Sequence, residues 1–386
     1  MNYEDQIQQL KQNVALMLQE RSANQRAAGS ALPSAIWIEA LSMFNYVINL
    51  SAEEFRKIRY HTGLITGNSI FAHWHQYPPI DPERFAEWID YKFYTEGVPQ
   101  DCWLGEPPTP QIPRPIGLNY RGKIINADIG RYQHCATCLY TMGVVDYLAG
   151  RGGKNLILEI GGGYGGLAHQ LGSMLGGHST YIIVDLPEML LFSGGCLIVN
   201  NPGKRIYVYN PATFTPEFLK GKIFEYDFVL LPNYVLQQLR QVEAIHLMMN
   251  MQSFQEMSRE QIEEYLDFGR DKLQGFIYSN NVDRHPFNDH LLPATVTSLL
   301  DSRFNVFPPT HFYESHARAG GSAWAYKAYI GIPKGSHISL GDHASMRVSD
   351  GISRYQLTRN AGKLKIKISR DWISYLISIA RKILGR

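Results

Sequence analysis

The sequence predicts an α/β protein built on a doubly wound, mostly parallel Rossmann-like sheet, with a helical N-terminal region and a basic amphipathic C-terminal helix. Three observations carry this. Residues 156–166 read LILEIGGGYGG, an apolar run ending in five glycines within six positions. Nineteen residues beyond Gly166 the next apolar run, Tyr181 to Val184, ends in Asp185. From Asn155 to about Gly335 short apolar runs alternate with helix-like segments, as crossover helices between parallel strands require.

In the first 150 residues apolar positions recur at helical spacing, in Ile7, Leu10, Val14 and Leu18 and again in Ile36, Trp37, Leu41, Phe44 and Ile48. Between Val98 and Pro115 six prolines forbid both helix and central strand, so an extended connector or a loop wrapped over the body is expected. A helix over about Arg131–Leu148 then leads into the glycine run. Strands are expected at Leu156–Ile160, Tyr181–Asp185, Arg205–Tyr209, Asp227–Leu231, Ile245–Asn250, Gly275–Ser279 and Ala323–Ile330. Helices are expected at Leu167–Leu175, Pro187–Val199 and Arg259–Lys272. This divides the chain into a helical region with its connector (1–120), a ligand-binding α/β domain (121–335) and a basic tail (336–386).

The tail differs in kind. Residues 359–386 carry eight Lys or Arg against Asp371 alone. Lys363, Lys365 and Lys367 alternate with Leu364, Ile366 and Ile368 as in a strand. Beyond Ser369, Trp372, Ile373, Leu376, Ile377, Ala380, Ile383 and Leu384 share one helical face. Such a helix suits docking on its own domain, homo-oligomer contact with a second copy, or peripheral contact with an anionic membrane.

Composition narrows the function. The chain has 386 residues, 45% hydrophobic and 19% charged, enough for a large globular domain with a smaller companion. A net charge of +2 argues against nucleic acid as a partner. The polar start, MNYEDQIQQLKQN, carries no secretory signal, and no apolar run reaches the ~18 residues a spanning helix needs. Four cysteines (Cys102, Cys135, Cys138, Cys196) make no disulfide framework, and a cytoplasmic protein is expected. The CxxC of Cys135 and Cys138 has no second pair to complete a zinc site, and His73 with His75 has none either, so no metal site is assigned.

The glycine turn is a place where backbone must approach a ligand, because glycine has no Cβ in the way. With a carboxylate at the tip of the next strand, it matches the way doubly wound sheets hold adenosine-containing ligands, the acid taking ribose hydroxyls through two acceptors in one plane. Gly161, Gly163 and Gly166 satisfy GxGxxG, so a dinucleotide and S-adenosylmethionine both remain open on the glycines alone. Glu159 separates them: a carboxylate before the turn repels a pyrophosphate but favours a sulfonium and an ammonium. A nicotinamide-dependent oxidoreductase is therefore the second reading, and a cofactor-binding module without activity the third.

The segments LEIGGGYGGLAHQL and YIIVDLPEML resemble the class I S-adenosylmethionine-dependent methyltransferases. More narrowly, with DFVLLPNYVLQQL (Asp227–Leu239), NMQSFQEMSREQIEEYL (Asn250–Leu266) and FIYSNN (Phe276–Asn281), they resemble the group known as putative sugar O-methyltransferases. The resemblance covers roughly residues 120–300, with a looser match at RYHTGLITGN (Arg59–Asn68). One departure is His246, where an aspartate is expected.

The resemblance implies an enzyme that methylates a hydroxyl of a small-molecule acceptor, a sugar or a glycosylated natural product. It implies that Glu159, Gly161, Gly162, Gly163, Tyr164, Gly165 and Asp185 hold S-adenosylmethionine, with Leu186, Pro187, Leu230 and Leu231 beside the adenine and Tyr132 nearby. Arg131, Tyr132 and His134 could reach the methionine carboxylate or the acceptor. A sugar hydroxyl is too weakly acidic to ionise beforehand, so a base or a metal must act as the bond forms. The segment after the fourth main strand faces the acceptor in such sheets and here carries Ser253, Gln255 and Glu256. Glutamine cannot accept a proton, which makes Glu256 the first candidate base, with helix capping as its competing role. His285 and His134 are the alternative proton acceptors, and Asn280 and Asn281, ending the strand before His285, are expected to contact the acceptor.

Overall fold

The computed structural model describes residues 2–23, 32–66, 81–96, 98–108, 115–283, 294–307 and 326–338. The expected strand and helix of the tail, His73, His75 and His285 lie outside these residues.

Ten strands run through the described residues. β1 (Leu118–Tyr120) and β2 (Lys123–Ile125) form an antiparallel hairpin. The others are β3 (Asn155–Ile160), β4 (Ser179–Asp185), β5 (Ile206–Val208), β6 (Phe228–Pro232), β7 (Ile245–Met251), β8 (Leu273–Val282), β9 (Phe304–Phe307) and β10 (Tyr326–Pro333). They make one sheet in the order β5-β6-β4-β3-β7-β8-β10-β9, parallel from β5 to β8, with β10 antiparallel to both neighbours. All six positions of β3 are buried, as a strand covered on both faces demands.

The chain leaves β6 on one side of the β4–β3 pair and re-enters as β7 on the other, which opens a crevice beyond the carboxyl ends of β3 and β7. Register aligns Ile160 with both Val184 and Asn250, so Gly161, Asp185 and Met251 emerge together at that edge.

The N-terminal helix Tyr3–Ala23 buries Ile7, Leu10, Val14 and Met17 against the helix Pro187–Asn200. Asn13 donates to the Val208 carbonyl at 3.0 Å and Arg21 to Glu188 at 2.9 Å, which ties this helix to the sheet edge. The described part of the connector, residues 98–108, is fastened to the body, since the Leu104 N–H donates to Gln133 and the Glu106 N–H to the Ile124 carbonyl, both at 2.8 Å. N-terminal side chains and sheet side chains share one core.

Several elements differ from the sequence reading. The helix expected over Arg131–Leu148 breaks at Gly143, where φ is +75°, into Ala127–Thr141 and Val144–Gly150. β8 runs longer than Gly275–Ser279, β10 continues to Pro333, and the β1–β2 hairpin, β9 and the helix Val296–Arg303 were not foreseen. No helix among the described residues is long and apolar enough to cross a membrane. Cys135 and Cys138 are packed inside on the Ala127–Thr141 helix.

Candidate active site

A cavity of about 510 Å³ occupies the crevice at the ends of β3, β4 and β7. Of the residues singled out in the sequence, Glu159, Gly161, Gly162, Gly163, Tyr164, Asp185, Leu186, Tyr132, Arg131, Ser253, Gln255 and Glu256 line it.

The glycine turn is shaped by its own hydrogen bonds. The Gly161 N–H donates to the Val184 carbonyl at 2.9 Å, the Gly163 N–H to Asp185 Oδ2 at 2.8 Å, and the Gly165 N–H to the Gly162 carbonyl at 2.9 Å. Gly161 has φ +72°, and a Cβ there would lie 2.0 Å from Ser253 Oγ, so backbone conformation and space both require glycine. At Gly162 a Cβ would meet Ile183 at 2.8 Å and Glu159 Oε2 at 3.2 Å.

Three carboxyl groups face this space. Glu159 is 2% exposed, and its Oε2 accepts from the Tyr181 hydroxyl at 2.9 Å. Burial pushes its pKa up to about 8, against the lowering effect of that bond. Asp185 is raised to about 7 by burial, although its oxygens accept the N–H groups of Leu186 and Gly163. Glu256 is raised to about 7, by burial first, with the Trp37 hydrogen bond lowering it and the charge of Asp185 raising it. The following helix, Arg259–Lys272, is capped by Ser258 and Gln261 in a reciprocal box, so Glu256 does not serve as its cap.

Arg131 supplies the positive charge of the wall. It donates to Asp128 Oδ1 at 2.6 Å, to the Thr66 carbonyl at 3.0 Å and to the Gln252 side chain, while its buried Nε has no partner among the described residues. Asp128 also receives Arg59 at 2.8 Å, and Arg59 pairs with Glu106 at 2.8 Å and lies 4.5 Å over the Tyr164 ring. Burial opposes the Arg59 charge, but the acids outweigh it and hold its pKa well above the ordinary value. The connector, through Glu106, thus braces the arginine pair beside the glycine turn.

Other residues singled out in the sequence sit off the cavity wall or bond to the frame around it. His134 lies off the cavity wall, its Nδ1 3.1 Å from the Tyr278 hydroxyl and its ring edge-on to Tyr94. Asn281 and Asn280 are buried behind the wall: Asn281 donates to Asn250 and Ser279 and accepts from the Gln255 N–H, while Asn280 Oδ1 has no partner. Leu230 and Leu231 are core residues of β6, and Asn233 just beyond that strand reaches the cavity instead. Pro187 starts a helix, and Met189, two residues on, lines the cavity. Gly165 turns the chain into the helix Gly166–Met174 with its Cβ position 3.1 Å from Ser193. Gln255 touches the cavity, but its Oε1 is committed to the Val282 N–H at 2.9 Å. His246 holds the far end of the sheet, its Nδ1 accepting the Leu156 N–H at 2.9 Å.

The sequence suggests that the helical N-terminal region helps form the acceptor pocket, but it singles out none of the residues of this opposite wall for that role. Ser34, Trp37, Ile65 and Thr66 come from the N-terminal region, Tyr265 from the helix after β7, and Tyr326 from β10. Gln252 adopts φ +61°, an uncommon conformation for this residue type, with its N–H on the Asn280 carbonyl at 2.8 Å. Neither periodicity nor motif spacing marks these positions.

No family model and no curated protein matches the chain. Among solved structures it is similar to precorrin-6y C5,15-methyltransferase from Geobacter metallireducens, with 13% identity over 43% of this chain and 72% of that one and a TM-score of 0.28. It is similar also to an O-methyltransferase family protein from Burkholderia thailandensis, with 11% identity over 55% and 60% and a TM-score of 0.30. A third is phosphoethanolamine N-methyltransferase 2 from Haemonchus contortus in complex with S-adenosyl-L-methionine, with 10% identity over 50% and 52% and a TM-score of 0.31. The chain thus spans less than two thirds of the latter two. The fold assignment stands on the strand order.

Proposed function

We propose that the protein is an S-adenosylmethionine-dependent methyltransferase acting on a hydroxyl of a small molecule, with Glu256 as the general base. The observation that supports it most directly is the convergence of Glu159, Asp185 and Glu256 on one cavity beside the glycine turn. Three carboxyls held near or above neutrality by burial suit a ligand that brings positive charge, since a cation repays the cost of ionising them. A pyrophosphate would meet the same carboxyls, and three N–H groups of the turn are already spent on Val184, Asp185 and Gly162. This disfavours a nicotinamide dinucleotide.

In this reading Asp185 takes the ribose hydroxyls, the turn from Gly161 to Gly163 passes along the ribose and methionine portion, and Glu159 faces the cationic groups. S-adenosylmethionine, when bound, supplies a methyl carbon already activated by a positive sulfur. The protein's own task is to seat the acceptor in line and to take its proton. Glu256, with a pKa about 7, is half ionised at neutral pH and remains strong enough as a base to accept the hydroxyl proton as the bond forms. That the acceptor is a sugar or a glycosylated compound rests on the sequence resemblance.

Calorimetric titration with S-adenosylhomocysteine and with NAD tests the cofactor half, and binding of NAD alone would end the reading. Glu256→Gln tests the other half, with methyl transfer expected to fall by about 10²–10⁴-fold while S-adenosylhomocysteine still binds. Unchanged transfer across pH removes Glu256 as base.

A further inference from the structure

Glu256 stands at one end of a contact whose other end lies 219 residues earlier. Trp37, on the short helix Ala35–Ala40, donates its indole N–H to Glu256 Oε2 at 2.9 Å. Among the described residues this is the only hydrogen bond to that carboxyl. We propose that Trp37 is a positioning residue for Glu256, its indole N–H fixing one carboxylate oxygen so that the other is left for the acceptor hydroxyl. The inference rests on the methyltransfer reading and extends it to a residue 219 positions away in the chain.

The indole is itself held from two directions. Its ring meets Phe44 with centroids 6.2 Å apart, and Phe44 packs edge-on against Phe192 at 5.4 Å, within the buried helix that follows Asp185. On the other side Gln261, in the helix after Glu256, donates to the Leu32 carbonyl at 2.7 Å and fastens the segment leading to Trp37. A short helix fixed at both flanks holds its donor in place, which a surface tryptophan could not do.

The choice of side chain has a chemical consequence. An indole N–H is a donor with no acceptor capacity, so it stabilises the carboxylate, the stronger acceptor, more than the acid. The other charged and titratable groups on the cavity wall are Asp185 from β4, Glu159 from β3, Tyr164 from the glycine turn, Arg131 and Tyr132 from the Ala127–Thr141 helix, Tyr265 and Tyr326. Of these Asp185 acts on Glu256 and favours the protonated form. Trp37 is the counterweight that keeps the base ionised near neutrality.

The protein holds six tryptophans, so indole ¹⁵N–H spectra of labelled protein show at most six signals, and the one lost in Trp37→Phe belongs to Trp37. In the native protein that signal is expected to shift through a midpoint near pH 7 as Glu256 ionises, and to lose this transition in Glu256→Gln. In Trp37→Phe, ¹³C-carboxyl titration of labelled glutamates, with Glu256 assigned by Glu256→Gln, is expected to show its midpoint about one unit higher. Once an acceptor is in hand, the ionised fraction at pH 7 then falls from about one half to about one tenth, and transfer falls about five-fold, recovering at higher pH. A Trp37 signal without the transition, or one unchanged by Glu256→Gln, overturns the proposal. So does a Glu256 midpoint unmoved in a Trp37→Phe protein that melts as the native one does. Calorimetry with S-adenosylhomocysteine is run on the same samples: failure to bind in the native protein sinks the methyltransferase reading, while the two titrations judge the Trp37–Glu256 pair independently.

Discussion

Replacing Glu159 by glutamine keeps its shape and its hydrogen bond to Tyr181 but removes its charge. With a pKa about 8, Glu159 is about nine-tenths protonated at pH 7 in the ligand-free protein. A sulfonium and an ammonium placed nearby favour the carboxylate, so binding S-adenosylmethionine at pH 7 should release close to 0.9 proton from this group. Asp185 and Glu256, each about 7, contribute about half a proton apiece if they also ionise. Titration calorimetry at pH 7 in buffers of different ionisation enthalpy measures the release directly. In Glu159→Gln it should drop by nearly one proton, and affinity for S-adenosylmethionine should fall more than affinity for the uncharged thioether S-adenosylhomocysteine. The same carboxyl sets a stability signature. Its folded pKa lies above the ordinary 4.5, so the folded state holds the proton more tightly and stability falls as pH rises from about 4.5 through 8. Thermal melts of the ligand-free protein should therefore decline between pH 5.5 and 8.5, less steeply in Glu159→Gln. Equal proton release by both proteins, or melts with the same pH slope, would refute the assignment of Glu159 as the buried acid that meets the cation.

Gly161→Ala should lower the melting temperature by an amount equivalent to about 1–3 kcal/mol and abolish S-adenosylhomocysteine binding, because φ +72° and the 2.0 Å approach to Ser253 both exclude a Cβ. Denaturant unfolding and calorimetry read the two effects separately. His246→Phe should cost about 1–3 kcal/mol in chemical denaturation by leaving the Leu156 N–H without its acceptor. Burial, aided by the charge of Arg151, lowers the His246 pKa to about 4, so the native contribution is present above pH 6.5 and lost as pH falls toward 4, a loss the variant should not show.

What could be read from the sequence and what could not divides along a physical line. β3 and β4 announce themselves because a strand buried on both faces must be apolar throughout, and the turn after β3 announces itself because positive φ and absent Cβ select glycine. Glu159 and Asp185 stand out for the same reason: each is a lone acid in or closing an apolar strand, where its desolvation is costly and only partly offset by hydrogen bonds from Tyr181, Leu186 and Gly163. The place of His134 and Asn281 off the wall was not legible, because a polar residue near the carboxyl ends of the strands satisfies its bonds equally well behind the wall, with Tyr278, Asn250 and Ser279, as in it.

The acceptor side follows a different logic. Trp37 was visible only as one of five apolar residues at helical spacing, a pattern that reports which face is inward and says nothing about what the indole N–H meets there. Its partner Glu256 is the first candidate base in the sequence, with helix capping as a competing role that Ser258 and Gln261 take instead. The meaning of each residue lies in a 2.9 Å contact between segments 219 positions apart, and no local rule of periodicity, capping or turn chemistry acts over that distance. The proposed cofactor half is encoded in contiguous motifs because two adjacent strand–turn–helix units, after β3 and after β4, make it. The opposite wall, where the proposed reading seats the acceptor, is assembled from the Ala35–Ala40 helix, the Ala127–Thr141 helix, the turn after β7 and β10. Substitutions that retune acceptor choice should accordingly fall at Trp37, Ile65, Arg131, Gln252 and Tyr326, leaving the glycine turn and Asp185 untouched.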